Sequence, residues 1–180
     1  MKNLTAIEYI KKELEKTGIE YQEFKQCVDM IYKSKECKQT DRMMLAELLD
    51  SIALKWVPIL DLDRSMMQIA SDLGAINEDL RCRWSYDPDV NAVDRGTMLV
   101  HLAKLFWDCV EFNHSTDEYT ELEILATITN ARHKTHDSSL YNIRTNIYKC
   151  NRKHIMGVID LVYALGFTFD DLYGEVVKHI

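Results

Sequence analysis

Two prolines and six glycines are all that interrupt 180 residues of this chain, and that scarcity constrains its fold more than any other feature. Turn-dense β architectures need both residues at their many corners, because glycine supplies positive φ and proline pre-sets a turn. Leu, Ile, Glu and Lys are abundant here, with eight Met, and all are good helix formers. The predicted fold is therefore all-α. The length suits one domain, residues 1–180, built as a bundle of about seven to nine helices.

Helical periodicity gives the elements. Thr5 and Glu8 form a capping box, followed by a stripe of Ile7, Ile10 and Leu14 that ends before Gly18. Phe24, Cys27, Val28, Ile31 and Tyr32 make the next stripe, and the polar run Lys33 to Gln39 is predicted to break it. Thr40 is expected to cap a third helix carrying Met44, Leu45, Leu48, Ile52 and Trp56, which Pro58 stops. Asp61 to Ser65 reads as a turn into a fourth helix with Met66, Ile69, Leu73, Ile76 and Leu80 on one side, running to about Trp84. After a loop from Ser85 to Asp94, a fifth helix from Thr97 to Phe112 is apolar on more than one face and is predicted to be central. Ser115 with Glu118 is expected to cap a sixth. His133 to Ser138 is irregular, and helices follow over Leu140–Cys150 and Lys153–Leu165. Gly166 is placed at a C-cap, and Thr168 with Asp171 opens a short last helix.

Charge and cysteine content exclude several function classes. The formal charge is −7, and the densest basic stretch, Arg144, Lys149, Arg152, Lys153 and His154, could serve one phosphate group but not a duplex. Nucleic-acid binding is disfavoured. The five cysteines lack any C-x-x-C pair, which argues against a zinc ribbon or thioredoxin-like site. They are expected to be reduced, with Cys27 and Cys109 as small core residues. No signal-like segment or long apolar run appears, so a cytoplasmic protein without membrane contact is expected. Phosphate-loop, nucleophile-elbow and dinucleotide-binding motifs are absent.

The stretch that can carry chemistry is Ala46 to Trp56. Glu47 and Asp50 lie three apart, so both carboxylates project from one helical face. Mg²⁺ needs several oxygens in near-octahedral geometry, which two acidic helices can supply together, and Asp72 lies one helix later. His133 with His136 and the lone His101 are weaker candidates, read as loop and cleft histidines. Trp84 and Trp107 read as core, while Trp56 lies close enough to Glu47 and Asp50 to stack on a base.

The run Ala-Glu-Leu-Leu-Asp-Ser at 46–51, followed by Lys55-Trp56, resembles the first metal-binding helix of the dimeric dUTPases. These belong to the all-α nucleotide pyrophosphatase superfamily that includes MazG. Asp160 to Tyr173 is similar to their closing helix-turn-helix. The resemblance implies a Mg²⁺-dependent pyrophosphohydrolase that converts dUTP or another dNTP into the monophosphate and pyrophosphate, usually as a homodimer. Glu47 and Asp50 would be catalytic, Glu47, Asp50 and Asp72 would hold the metal, and Lys55 and Trp56 would contact the nucleoside triphosphate. Met44 and Ile69 stand where the family pattern has glutamates. That departure favours the alternative, an inactive helical module that binds a protein partner, itself or a nucleotide. Its Met-rich third and fourth helices would suit such a surface.

Overall fold

The computed structural model describes residues 6–54, 62–86, 94–134 and 140–178. Among them lie α1 (Ala6–Thr17), α2 (Tyr21–Glu36), α3 (Gln39–Leu54), α4 (Leu62–Tyr86), α5 (Arg95–Thr116), α6 (Glu121–His133), α7 (Leu140–Ala164) and α8 (Phe169–Val176). Every element is helical, as the shortage of breakers predicts. None is long and apolar enough to cross a membrane.

The core is organised around α5, which packs against α4, α7, α8 and α3. Met98, Leu102, Leu105, Phe106, Cys109 and Val110 are all buried, and together they occupy more than one face of the helix. Phe106 meets Phe169 of α8 edge-on, with ring centroids 6.0 Å apart. The α3 stripe (Leu45, Leu48, Ile52) and the α4 stripe (Ile69, Leu73, Ile76, Leu80) join the same core. Met66 does not; it is exposed, with its neighbour Met67.

Helix ends follow local chemistry, and here several sequence expectations need correcting. Lys33 to Glu36 stay helical, because lysine and glutamate propagate a helix well; α2 stops only at Cys37. Thr40 lies inside α3, which opens at Gln39. Leu62 to Ser65 form the first turn of α4 rather than a lead-in. The cap of α6 is Thr120, whose side chain and Glu123 complete a capping box. Ser115 belongs to the last turn of α5, where its hydroxyl donates to the Glu111 carbonyl. Asp117, with φ of 50°, ends that helix. The Thr168–Asp171 box and the positive φ of Gly166 are found as expected.

Buried polar groups join the elements. Asp41, in the first turn of α3, is fully buried and pairs with Arg132 near the end of α6. The Cys37 thiol donates to the same carboxylate. The Asn113 side chain clamps the α5–α6 turn by bonding both backbone groups of Tyr119. Arg95 bonds the Leu165 and Gly166 carbonyls and lies over the Phe167 ring, tying the start of α5 to the α7–α8 corner.

α7 is not straight. His154 has a φ of 32°, and a Cβ built on Gly157 would lie 2.5 Å from the backbone nitrogen of Cys150. Seven residues of straight helix would separate those positions by about 10 Å. The chain therefore doubles back near His154, but its helical hydrogen bonding runs unbroken from Leu140 to Ala164 where periodicity predicts two segments, Leu140–Cys150 and Lys153–Leu165.

The α1–α2 hairpin is the exception to core burial. α1 packs chiefly on α2, and α2 packs on α6. Ile7, Ile10, Phe24, Ile31 and Tyr32 remain exposed, so the stripes of both helices stay largely uncovered. Cys27 is exposed with them, whereas Cys109 is buried as expected.

Candidate functional site

The acids named from sequence are placed on separate partners. Glu47 is exposed on α3 and accepts a 2.5 Å hydrogen bond from the Tyr173 hydroxyl of α8. That bond, more than burial, pushes the Tyr173 phenol up. Asp50 is exposed one turn along α3. Asp72 is buried in α4, where Lys104 of α5 donates to its Oδ1 at 2.8 Å. Lys55 and Trp56 lie outside the described residues, as do Asp61 and His136, and nothing is described of the Trp84 side chain. Among the described residues, no three His, Cys, Asp or Glu side chains converge in an arrangement able to hold a metal ion. Asp72 already faces an ammonium group, so its charge is compensated without a cation. These residues do not fit the Mg²⁺ cage that the resemblance implies.

The structure instead assembles a polar seam between α4 and α5. Asp79 pairs with His101 at 3.0 Å, and about two turns along α4 Asp72 pairs with Lys104. Asp108, one turn beyond Lys104 on α5, turns its carboxyl toward that of Asp72. The outer oxygens of both acids, Asp72 Oδ2 and Asp108 Oδ2, are buried without a hydrogen-bond donor. Two facing carboxylates cannot satisfy each other unless one carries a proton. Burial first, then the hydrogen bond with Asp72 and the charges of Asp72 and Glu111, pushes Asp108 up to about 7, against the opposing pull of Lys104. A protonated Asp108 can donate to Asp72, which an ionised one cannot. Sequence reading missed Asp108 and Lys104, although a charged pair four apart on an otherwise apolar helix is a visible signal.

A second polar site lies between α6 and the doubled-back α7. Tyr119, Thr127, Asn130, Lys134, Lys149, Met156, Gly157 and Asp160 line a cavity of about 200 Å³. Lys134 and Lys149 both converge on Asp160, at 2.7 and 3.4 Å. His154 at the reversal bonds Glu118 at 2.9 Å and meets the Phe112 ring at a tilt of 59°, with centroids 4.5 Å apart. Burial, with a hydrogen bond to Glu118, pushes the neighbouring Tyr119 up to about 12. The basic stretch noted in the sequence is thus dispersed: Lys149 enters the cavity, while Arg152 lies over Tyr148.

Comparison of the chain with known protein families, characterised proteins and solved structures finds no match.

Proposed function

We propose that this chain is a non-catalytic helical interaction module that associates with a second copy of itself through the α1–α2 hairpin. The observation carrying this reading is the uncovered apolar stripe of that hairpin. Phe24 and Ile31 lie two turns apart on α2 with Tyr32 beside them, and α1 adds Ile7 and Ile10, all exposed. Contiguous apolar faces of this kind mark contact surfaces in soluble domains. Charge favours a like partner. Residues 6–36 hold six lysines and seven acids, so this region carries only −1 of the chain's −7 and repels its own copy weakly. Exposed Met43, Met66 and Met67 on α3 and α4 offer a second adaptable surface.

Sedimentation equilibrium tests the reading. The wild type sediments as a dimer, and Ile31→Asp with Tyr32→Asp sediments as a folded monomer. A wild type that stays monomeric at about 100 µM, far above the nanomolar-to-micromolar range of ordinary complexes, overturns it. The pyrophosphohydrolase is the second reading, favoured by the paired acids Asp72 and Asp108 beside Lys104. It requires pyrophosphate release from dUTP or another dNTP with Mg²⁺ or Mn²⁺, abolished by Glu47→Gln. Our reading expects no release.

A further inference from the structure

We infer that the cleft between α6 and the reversed segment of α7 binds a small tetrahedral oxyanion, the phosphoryl group of a small molecule or free phosphate, through Lys134 and Lys149. Among the side chains lining the cleft two ammonium groups face a single carboxylate, a local excess of one positive charge in a chain of formal charge −7, while the nearby Glu118 is engaged by His154. Asp160 offers one oxygen to each lysine, and each ammonium has three donors, so donors remain for a guest. The Asn130 amide lines the same space and has no hydrogen-bond partner among the described residues. The Thr127 hydroxyl, which donates to the Glu123 carbonyl and contacts the Met156 sulfur, keeps its lone pairs for a protonated phosphate oxygen.

The size and shape select the guest. About 200 Å³ holds roughly six waters. That lies below the range of about 300–1,000 Å³ usual for drug-sized ligands. No arginine lines the cavity, so a guest anion is held by the point charges of the two lysines, as lysine holds phosphate elsewhere, rather than by a bidentate fork. Gly157, which also lines the cavity, lets this segment approach the Cys150 backbone closely, where a Cβ would have no space. Asp160 holds both lysines in place while the cleft is empty and competes with any anion that enters.

That competition makes the test specific. Inorganic phosphate is titrated into the 180-residue chain at constant ionic strength, with amide chemical shifts as the readout. Saturable shifts are expected at residues 127–134 and 149–160. Lys134→Met with Lys149→Met weakens binding at least tenfold, and Lys134→Met alone, at an exposed helix end, gives a folded protein with a smaller loss. Asp160→Asn tightens binding at least threefold by removing the competing carboxylate. A phosphomonoester such as glycerol phosphate that binds more tightly than phosphate identifies a small-molecule source, and equal affinity identifies the free ion. Shifts that chloride or acetate reproduces at equal ionic strength, or an Asp160→Asn variant no tighter than wild type, overturn the inference.

Discussion

Gly157 and Cys150 meet so closely at the reversal of α7 that a methyl group at position 157 would overlap the Cys150 backbone, with its nearest atoms 2.5–2.7 Å away. Backbone cannot swing aside as a flexible side chain can. Gly157→Ala is therefore expected to destabilise the protein by roughly 2–3 kcal/mol through overpacking, although alanine is the better helix former by about 1 kcal/mol. Urea unfolding measures the loss, and an unchanged midpoint would mean that the reversal is absent in solution.

The Asp41–Arg132 pair joins the start of α3 to the end of α6, with Asp41 fully buried and its Oδ1 left without a donor. Removing one partner strands a charge in a medium that solvates it poorly. Arg132→Met should cost about 3–5 kcal/mol. Arg132→Met with Asp41→Leu should recover much of that loss, because the stranded carboxylate is gone. Denaturation midpoints of the two variants separate charge burial from simple loss of packing.

Asp108 holds its proton in the folded state up to about pH 7, whereas an unfolded aspartate releases it near pH 4. Across that window the folded state binds more protons. The contribution of this group to stability is accordingly fully present below pH 4, declines as pH rises through the interval, and is lost above pH 7. The fall attributable to this group should be about 2 kcal/mol once partial exposure is allowed for. Asp108→Asn, whose amide can donate permanently to Asp72, should flatten the decline and exceed the wild type in stability at pH 8. A parallel decline in both proteins would remove Asp108 as its cause.

The corrected cap of α6 gives a sharp contrast between two similar hydroxyls. Thr120 accepts from the Glu123 amide, while Ser115 only donates back into its own helix. Thr120→Ala should lose about 1 kcal/mol. Ser115→Ala should be neutral within about 0.5 kcal/mol. Thermal or chemical unfolding of the two variants checks the assignment.

The helices, the centrality of α5 and the Thr168 cap were legible because they depend on local periodicity and capping chemistry. Among the described residues, which leave out Trp56, the stripes of α3 and α4 also identified core residues, with Met44 only partly buried and Met66 exposed. Those of α1 and α2 did not, since periodicity reports an apolar face and not what covers it. The seam and the cleft were largely hidden. Asp72 drew attention through its helix, but its partners Lys104 and Asp108 lie more than 30 residues away, and the packing of α4 on α5 decides that they meet. Asp160 collects Lys134 from the C-cap of α6 and Lys149 from the other arm of α7, a convergence that depends on the reversal at His154. Ser115 and Thr120 show the remaining difficulty: both begin plausible capping motifs, and tertiary geometry chooses between them.

α1 leans chiefly on α2, and α2 reaches the rest of the chain through α6. A helix supported on one side should detach in brief local openings far more often than the whole protein unfolds. Its amides should exchange with deuterium well before those of α5, and a protease supplied at low concentration should trim this end first. Pairing with a second copy would slow both events, so exchange rates along Ala6–Thr17 become a built-in gauge of association.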